Sequence, residues 1–562
     1  MAIIGIDLGT TNSACGIWNS NGVTLIPNRL GDLLTPSVVG FDDSGNITVG
    51  RVAKERLISH SDKTVAVFKR LMGTDHKIKI GNKYFTATEL SSLLLLSLKE
   101  DAENHLQHPV EAAVISVPAY FNDNQRHATK LAGELAGLKV DRLINEPTAA
   151  SMAYGLHEKK EGIFLILDMG GGTFDVSILE FFEGVMEVHA SAGDNYLGGE
   201  DFVEAMLDDL LQKENIDKES LSAQQLHNLY MQLETAKRRI DTIDKSQISL
   251  RLEKKDINWD VTAEWFNRIT MPLLYRAKQP IEIAINDARI SPSEIDDIVL
   301  VGGATRMKSF RNGIARLFNR FPSCNLDPDL VVAMGASIQA GLIDKHEALD
   351  DIVLTDVCPY TLGTEIISDD GSTGGHFLPI IERNTVVPVS IVRSVVTASD
   401  NQTEVNINIY QGENRLVEKN VFLGSIDIEV PKAPKGKEVV DIRYSYDMNG
   451  LLEVDVTSVS TNKSISKVIE QTPGALSEND KAKSLRKLAG YKFHPRDQEI
   501  NRMLIAKGER LYATTLGEKR DFIAKILAQF DAVLERQNPT EISKSRTKLK
   551  EILDQLDNEE WF

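Results

Sequence analysis

The stretch Asp168-Met-Gly-Gly-Gly-Thr-Phe-Asp175 decides the fold of this chain, and it stands between the apolar runs 163–167 and 176–178. An apolar strand that ends in an acid, three glycines and a threonine, and then returns as a strand, predicts a hairpin whose tip carries almost no side chains. The bare amides of such a tip can close around phosphate oxygens, and a carboxylate at the strand end can hold water around a divalent cation. A glycine triplet that occurs alone is more often a plain hairpin turn.

The same design occurs again near the start of the chain, in Ile3-Ile-Gly-Ile-Asp-Leu-Gly-Thr-Thr-Asn-Ser13. A third element, Ile298-Val-Leu-Val-Gly-Gly-Ala-Thr-Arg306, runs a buried strand into paired glycines and could begin a helix at the turn. Two acid-bearing hairpins in separate halves of the chain would hold a nucleotide from both sides, and the third element would close on its other end. The sequence contains neither G-x-x-x-x-G-K-[ST] nor G-x-G-x-x-G, which argues against a P-loop or a Rossmann site.

These three segments resemble the two phosphate motifs and the adenosine motif of the superfamily of actin, sugar kinases and heat-shock ATPases. Further segments narrow the resemblance to the DnaK-like, seventy-kilodalton heat-shock chaperones: Val117-Pro-Ala-Tyr-Phe-Asn122, Asn145-Glu-Pro-Thr-Ala-Ala150 and Leu197-Gly-Gly-Glu-Asp-Phe202. The similarity covers nearly the whole chain, and the short length and abbreviated ends most resemble the HscC type. The resemblance implies a multidomain protein: a duplicated, RNase-H-like α/β ATPase domain of the actin type, a β-sandwich that binds peptides, and a short α-helical lid.

Composition bounds the class of protein. The 562 residues are 42% hydrophobic and 26% charged, which is ordinary for a globular protein of several domains. The net charge of -19 disfavours nucleic acid and anionic membrane as partners. Cys15, Cys324 and Cys358 form no CxxC pair, so neither a disulfide framework nor a cysteine metal site is expected. Without a signal-like start or an apolar run near eighteen residues, the cytoplasm is the expected location.

Changes in periodicity along the chain predict four segments. Residues 1–346 alternate short apolar strands with helical patterns, which indicates layered α/β structure. Residues 347–357 resemble an interdomain linker. Strict alternation over 358–470, with Asn449-Gly450 as a hairpin turn, predicts the β-sandwich. Residues 471–562 are charged and helical and resemble a shortened lid, which opens with a capping box at 477–480.

The resemblance implies that five residues carry out ATP hydrolysis: Lys69, Glu146, Asp168, Thr173 and Asp175. Asp7 and Asp168 would hold Mg²⁺ largely through water, and the resemblance also allows K⁺. The ammonium of Lys69 would neutralise charge on the transferring phosphate and position the attacking water. A basic pair such as Lys69-Arg70 is otherwise typical of a solvated helix surface. The segment 73–87 is shorter than in typical family members, which predicts a trimmed lobe.

Residues from both halves are expected to bind ATP or ADP. They are Asp7, Gly9, Thr10, Thr11, Asn12, Gly170, Gly171, Gly172, Gly198, Gly199, Glu234, Lys237, Arg238, Asp241, Gly302, Gly303, Ala304, Arg306 and Asp329. The apolar periodicity over 226–241 predicts a helix, and the resemblance places ribose and adenine contacts on its opposite face, where ordinary ion pairs are the alternative. Asp241 stands where a serine is usual, and Ala304 where serine or glutamine is usual, so a typical nucleotide affinity is not assumed.

The predicted linker is acidic at its ends and apolar at Ile352, Val353 and Leu354. A spacer needs no apolar run. This run could add as a strand to a sheet edge in one state and be released in another. The alternative is that it forms the first strand of the next domain. Thr355 replaces a residue that is usually apolar, so docking of the linker could be weaker than in the family.

The resemblance also implies two sets of binding residues. The peptide cleft would be formed by Leu362, Thr364, Ile367, Val395, Ala398, Val405 and Ile407. For any single one of these, ordinary core is the alternative. A J-domain co-chaperone would dock near the linker at Arg142, Asn145 and Thr148.

The resemblance therefore implies an ATP-dependent molecular chaperone that binds and releases exposed apolar segments of unfolded proteins with a J-domain co-chaperone, and it leaves open whether a nucleotide exchange factor is needed. A small-molecule kinase is one alternative, because sugar kinases share the hairpins, but it has no use for the β-sandwich or the apolar linker. A non-hydrolysing holdase or exchange factor is the other. The intact acids and Lys69 argue against it.

Overall fold

The computed structural model describes residues 2–42, 44–158, 161–182, 185–243, 245–251, 256–323, 325–344, 353–366, 375–447, 452–469, 496–515, 517–535 and 539–559. These residues form mixed α/β structure with many sheets, followed by a helical C-terminal region. The strands up to residue 301 are Ala2–Asp7 (β1), Asn12–Asn19 (β2), Gly22–Ile26 (β3), Thr35–Pro36 (β4), Val38–Phe41 (β5), Ile47–Val49 (β6), Thr64–Ala66 (β7), Ile78–Ile80 (β8), Lys83–Phe85 (β9), Val110–Val117 (β10), Lys139–Asn145 (β11), Gly162–Met169 (β12), Phe174–Phe182 (β13), Val185–Asp194 (β14), Lys245–Arg251 (β15), Asp256–Thr262 (β16) and Asp297–Val301 (β17). The α-helices up to residue 343 are Arg51–Ser59 (α1), Ala87–Leu106 (α2), Asp123–Leu135 (α3), Glu146–Glu158 (α4), Gly199–Glu214 (α5), Ala223–Arg239 (α6), Ala263–Ala288 (α7), Lys308–Phe318 (α8) and Val331–Ile343 (α9).

Two sheets in this part of the chain share one connectivity. The first has the order β11-β10-β1-β2-β3, with β1 antiparallel to β2 and parallel to β10. The second has the order β17-β12-β13-β14, with β12 antiparallel to β13 and parallel to β17. Corresponding strands of the two sheets carry an acid at or next to their C-terminal ends, Asp7 in β1 and Asp168 in β12. The repeated topology therefore brings two equivalent carboxylates to corresponding sheet edges.

Helices α4 and α9 pack closely together, and α9 also packs on β1 and β2 of the first sheet. Small residues permit this approach. A Cβ at Gly335 of α9 would lie 1.7 Å from the carbonyl oxygen of Ala149 in α4. A Cβ at Gly5 of β1 would lie 2.1 Å from the amide nitrogen of Ser337 in α9. The contact fixes Glu146, the first residue of α4, at the end of β11.

The linker backbone forms a short strand, Val353–Leu354 (β18), which pairs in parallel with β14 at Val185 and Met186. The amide of Thr355 donates to the carbonyl of Met186 at 3.0 Å. The strand therefore extends the second sheet, and it is not the first strand of the following region. Ile352 lies outside the described residues.

The chain continues with strands Asp356–Val357 (β19), Leu362–Ile366 (β20), His376–Ile381 (β21), Val386–Val387 (β22), Val389–Val396 (β23), Glu404–Gln411 (β24), Val421–Glu429 (β25), Val439–Tyr446 (β26), Leu452–Ser458 (β27) and Lys463–Ile469 (β28). Two four-stranded sheets, β21-β20-β24-β25 and β23-β26-β27-β28, enclose one hydrophobic core. The predicted alternation of apolar and polar residues corresponds to alternating burial along β24, in which Val405, Ile407 and Ile409 face inward. Asn449-Gly450 lies outside the described residues, and the flanking strands β26 and β27 pair antiparallel.

This two-sheet region contacts the α/β part of the chain through polar side chains. The guanidinium of Arg383 donates to both carboxylate oxygens of Asp287 in α7, at 2.8 and 3.0 Å. The amide of Asp123 in α3 donates to Oε1 of Gln411 at 3.2 Å. The two parts of the chain are therefore docked in this structure.

Three C-terminal helices, Arg496–Thr514 (α10), Glu518–Glu535 (α11) and Pro539–Glu559 (α12), enclose a small core of their own. Helix α10 packs against α1. Between these helices, Nε of Arg510 lies 2.5 Å from Oε2 of Glu55, and Nη1 of Arg56 lies 3.2 Å from Oε2 of Glu509. The predicted capping box at 477–480 lies outside the described residues. Of the helices that the structure describes, none has the length and apolar character needed to cross a membrane.

Candidate active site

A cavity of about 340 Å³ lies where the acid-bearing ends of the two sheets meet. Most of the residues predicted to bind nucleotide or to act in hydrolysis line it: Asp7, Gly9, Thr10, Thr11, Asn12, Lys69, Glu146, Asp168, Gly170, Gly171, Thr173, Gly199, Glu234, Lys237, Arg238, Asp241, Gly302, Gly303, Ala304, Arg306 and Asp329. Gly172, Asp175 and Gly198 do not line it. Asp175 is buried, and the backbones of Gly172 and Gly198 pack directly against each other. The fold thus gathers residues more than 300 positions apart into one site.

The glycine turns meet so closely that side chains are excluded between them. A Cβ at Gly171 would lie 1.8 Å from Oγ1 of Thr11, so the second hairpin can approach the first only with glycine at this position. Gly302 has φ +81°, and a Cβ there would lie 2.4 Å from the carbonyl oxygen of Met169. The three predicted turns therefore form one contiguous wall of backbone at this end of the cavity, as a phosphate site requires.

Buried acids surround a buried lysine beside these turns. Nζ of Lys69 lies 2.7 Å from Oε1 of Glu146, and Lys69 is only 3% exposed, so the alternative of a solvated basic pair does not hold. Burial, reinforced by Glu146, raises the pKa of Asp7 to about 7. Burial raises the pKa of Asp168 well above its usual range, and the neighbouring acids Glu146 and Asp175 add to this shift. The cluster has more carboxylates than cations to balance them.

The residues present fit a divalent cation. Oδ2 of Asp175 is buried and has no hydrogen-bond partner among the described residues, although Oδ1 accepts from the amide of Tyr120 at 2.9 Å. An unsatisfied oxygen and excess negative charge are what a bound cation would compensate. In the part of the chain that the structure describes, no three His, Cys, Asp or Glu side chains are spaced for direct coordination.

Helix α6 and the residues that follow Gly303 form a further part of the cavity wall. Nζ of Lys237 donates to the carbonyl of Gly199 at 2.7 Å and lies 2.6 Å from Oε2 of Glu234. Nε of Arg238 lies 2.6 Å from Oε1 of Glu234. The predicted helix over 226–241 is observed as Ala223–Arg239, so Asp241 lies just beyond its end.

Sequence reasoning missed several residues that line the cavity: Leu34, Glu200, Met307, Pro328 and Val332. Glu200 accepts hydrogen bonds from the hydroxyls of Thr11, at 3.4 Å, and Tyr230. The sequence could have indicated Glu200, because it directly follows Gly198 and Gly199, two residues of the segment Leu197–Phe202 that were predicted to bind nucleotide. The others carry no polar group that marks them.

The predicted J-domain residues do not share an open surface in this structure. Arg142 is half-buried, and Thr148 is 1% exposed. Asn145 is buried in a network in which it accepts from Arg126 at 2.6 Å and donates to Oδ2 of Asp356, just beyond the linker strand, at 2.8 Å. The J-domain contact stays a prediction.

The predicted peptide-cleft residues fall into two groups. Leu362, Thr364, Val405 and Ile407 are buried between the two sheets, and the Thr364 hydroxyl donates to the carbonyl of Asn408 at 2.8 Å. Val395 is half-buried and Ala398 is exposed. Ile367 lies outside the described residues. Peptide binding by this set stays a prediction.

A cavity closed by glycine hairpins from two related sheets, with buried acids and a lysine among its neighbours, has the features of a nucleotide-binding site. The family model described as Hsp70 protein matches residues 3–561, and the chain belongs to that family. The chaperone protein DnaK of Thermotoga petrophila is 42% identical over 483 residues, which are 83% of this chain and 80% of that protein. DnaK of Thermotoga neapolitana matches to the same extent. The chain is accordingly an ATP-dependent chaperone whose ATPase is coupled to its conformational cycle. Its assignment to the HscC type stays a prediction.

Proposed function

We propose that ATP binding and hydrolysis in an actin-like domain, residues 1–346, control an apolar peptide groove in a β-sandwich, residues 358–470. The linker 347–357 carries the signal between them, and the helical segment 471–562 acts as a short lid. One observation supports this proposal above the others: the linker strand β18 pairs with β14, and β14 belongs to the same sheet as β12, which carries Asp168. The linker strand and a strand that carries a nucleotide-site residue thus belong to one sheet.

In the proposed hydrolysis, the amides of the glycine turns hold the phosphates and Lys69 places the attacking water. Glu146 holds the Lys69 ammonium in position through their 2.7 Å ion pair. Thr173 lies at the tip of the second hairpin, where its hydroxyl would contact the γ-phosphate. Asp7 and Asp168 would hold Mg²⁺ largely through water, and the bound ion supplies positive charge against the phosphates. The proposal includes no covalent enzyme intermediate.

The proposed partners follow from the same arrangement. Unfolded or extended apolar polypeptide would bind the groove, and a J-domain co-chaperone would dock near Arg142, beside Asp356. A nucleotide exchange factor is a further proposed partner, and K⁺ a further proposed ion. Nucleic acid and membrane stay outside the proposal because of the net charge of -19. The cytoplasm is the proposed location, with which the buried free thiols of Cys15 and Cys358 are compatible.

The full chain tests this proposal in a single-turnover ATPase assay with and without an apolar peptide. Hydrolysis that an apolar peptide stimulates is the expected result. Hydrolysis that ignores peptides but responds to a sugar would instead indicate a small-molecule kinase. ATP binding without turnover would indicate a holdase or an exchange factor.

A further inference from the structure

Arg238, Asp241, Ala304, Arg306 and Met307 line one part of the cavity, on and just after α6 and next to the turn Gly302-Gly303, and we call this part the base end. If the glycine turns hold phosphates, as the proposed function has it, the nucleobase lies at the base end. The base preference of this part of the cavity therefore rests on that proposed function.

Three carboxylates line this part of the cavity, and two of them are neutralised. Glu234 is paired with Lys237 and Arg238, at 2.6 Å in each case. Asp329 is paired with Arg306 at 2.8 Å. The charge of each of these two carboxylates is therefore balanced by a neighbouring cation.

Asp241 differs from both. Its Oδ2 accepts from the backbone amide of Lys308, the first residue of α8, at 2.8 Å. The Lys308 ammonium donates to the backbone carbonyl of Asp241, not to its carboxylate. Within the described residues this carboxylate forms no ion pair, and Oδ1 has no partner. Since an ionised carboxylate has about four acceptor sites, most of its capacity is unused and available to the cavity that it lines.

The other groups at the base end do not distinguish one purine from another. Guanidinium groups such as those of Arg238 and Arg306 stack on any base through its π-face. Ala304 offers only a methyl group. Hydrogen-bond recognition of the base edge therefore falls to Asp241.

A carboxylate only accepts hydrogen bonds, and this property decides its preference. Guanine presents two neighbouring donors, N1–H and the N2 amino group, which match the two oxygens of a carboxylate. Adenine presents one donor, the N6 amino group, next to N1, which is an acceptor and repels a carboxylate oxygen. We propose that this site admits guanine nucleotides as well as adenine nucleotides, and that Asp241 is the specificity-determining residue, accepting from N1–H and N2–H₂ of guanine.

The test is competition binding of ATP, GTP and inosine triphosphate to the full chain and its variants. Wild-type protein should bind GTP within about tenfold of ATP, and inosine triphosphate, which lacks the N2 amino group, more weakly than GTP. Asp241→Ser should raise the ratio of the GTP Kd to the ATP Kd by about tenfold or more, since a bidentate contact discriminates by about that factor. Asp327→Ser is the matched control: it removes another acid beside Arg306 that does not line the cavity, and it should leave the ratio unchanged.

Asp241→Asn keeps an oxygen for the amide of Lys308, so it carries the test if Asp241→Ser unfolds, and thermal unfolding identifies that case. The comparison of GTP with inosine triphosphate needs no variant at all. Normal ATP binding with GTP more than about a hundredfold weaker, or an unchanged ratio in both Asp241 variants, overturns the inference and leaves the ATPase assignment intact. Binding of neither nucleotide overturns both.

Discussion

Nζ of Lys69 and Oε1 of Glu146 lie 2.7 Å apart in a buried ion pair at the wall of the cavity. The pair joins the 3-10 helix Phe68–Leu71 to the start of α4, so it holds two elements of the site together. It also sets the charge beside Asp168, because Glu146 raises the pKa of that residue and Lys69 lowers it. Removing only one partner of such a buried pair is strongly destabilising, since the remaining charge stays buried and unpaired.

Replacing Lys69 by Met should slow ATP hydrolysis by roughly a hundredfold to a thousandfold, because a positioned cation near the developing charge contributes about that much. ATP affinity should change far less, since the glycine turns remain. Nucleotide affinity and the single-turnover rate are measured separately. Lys79→Met, on the exposed face of the β8–β9 hairpin, is the matched control and should leave both values at the wild-type level. A Lys69 variant with full turnover would remove this residue from the mechanism.

Thr173→Ala should slow hydrolysis by roughly tenfold to a thousandfold while sparing ATP binding. Thr173 closes the second hairpin, where its backbone carbonyl accepts from the amide of Gly170 at 3.2 Å. Alanine preserves this backbone contact and removes only the hydroxyl. Thr173→Ser, which keeps a hydroxyl, should recover most of the rate. Equal losses of binding and rate in the alanine variant would show that the residue is structural.

Local patterns predicted the strands, the hairpins and the strand-end positions of Asp7 and Asp168, because these features depend on neighbouring residues. The glycine turn after Asp168 and the helix that carries Glu234 are examples. Val332 and Met307 reach the cavity only through packing between distant elements, which no local pattern encodes. Alternation predicted that Val405 faces inward, but it cannot distinguish a core position from a peptide cleft.

Docking of the two-sheet region on α3 should weaken as pH rises towards neutrality. Asp123 is buried there, and burial raises its pKa from 3.8 to about 7, although Arg126 lowers it. Between pH 3.8 and about 7, the Asp123 carboxyl is therefore protonated in the docked state and ionised in the undocked state. Docking should weaken by up to about tenfold per pH unit within that window and level off above pH 7.

Fluorescence transfer between dyes on the α/β part and the two-sheet region measures this docking between pH 5 and 8. Asp123→Asn cannot titrate and should flatten the profile. Asp356 is a second buried acid with a raised pKa at this contact, so Asp356→Asn is measured in parallel and should leave the Asp123 contribution in place. An unchanged slope in the Asp123 variant would mean that another group binds the proton.

The contact of α10 with α1 should depend on the ion pair between Arg510 and Glu55, whose side chains are each 15% exposed. Glu55→Arg should weaken helix docking by about 1 kcal/mol, or roughly fivefold, because two guanidinium groups would then face each other. Cross-linking between single cysteines on the two helices reports the docked fraction. The exchanged pair Glu55→Arg with Arg510→Glu should recover part of the loss. Arg510 also pairs with Asp557 of α12 at 2.8 Å, so full recovery is not expected.

The linker should transmit the nucleotide signal through the pairing of β18 with β14. Replacing Val353 and Leu354 by aspartate puts two charges on a strand that must join the edge of a sheet, at a cost of several kcal/mol, roughly, if the docked strand is buried. Both flanking regions should still fold, because each has a hydrophobic core of its own. Peptide release should then become indifferent to ATP, while basal turnover persists.

The decisive measurement is the peptide dissociation rate of the full chain with ATP and with ADP. The wild-type protein should show a large ratio of the two rates, because only a state-dependent contact can convert nucleotide binding into groove opening. In the double variant this ratio should approach one. Val396→Asp is the matched control, since it adds a charge at an exposed position of β23, 54% accessible, away from the linker. A double variant that retains the wild-type ratio would show that β18 is a tether, and that the signal travels through the docked contacts of Arg383 with Asp287.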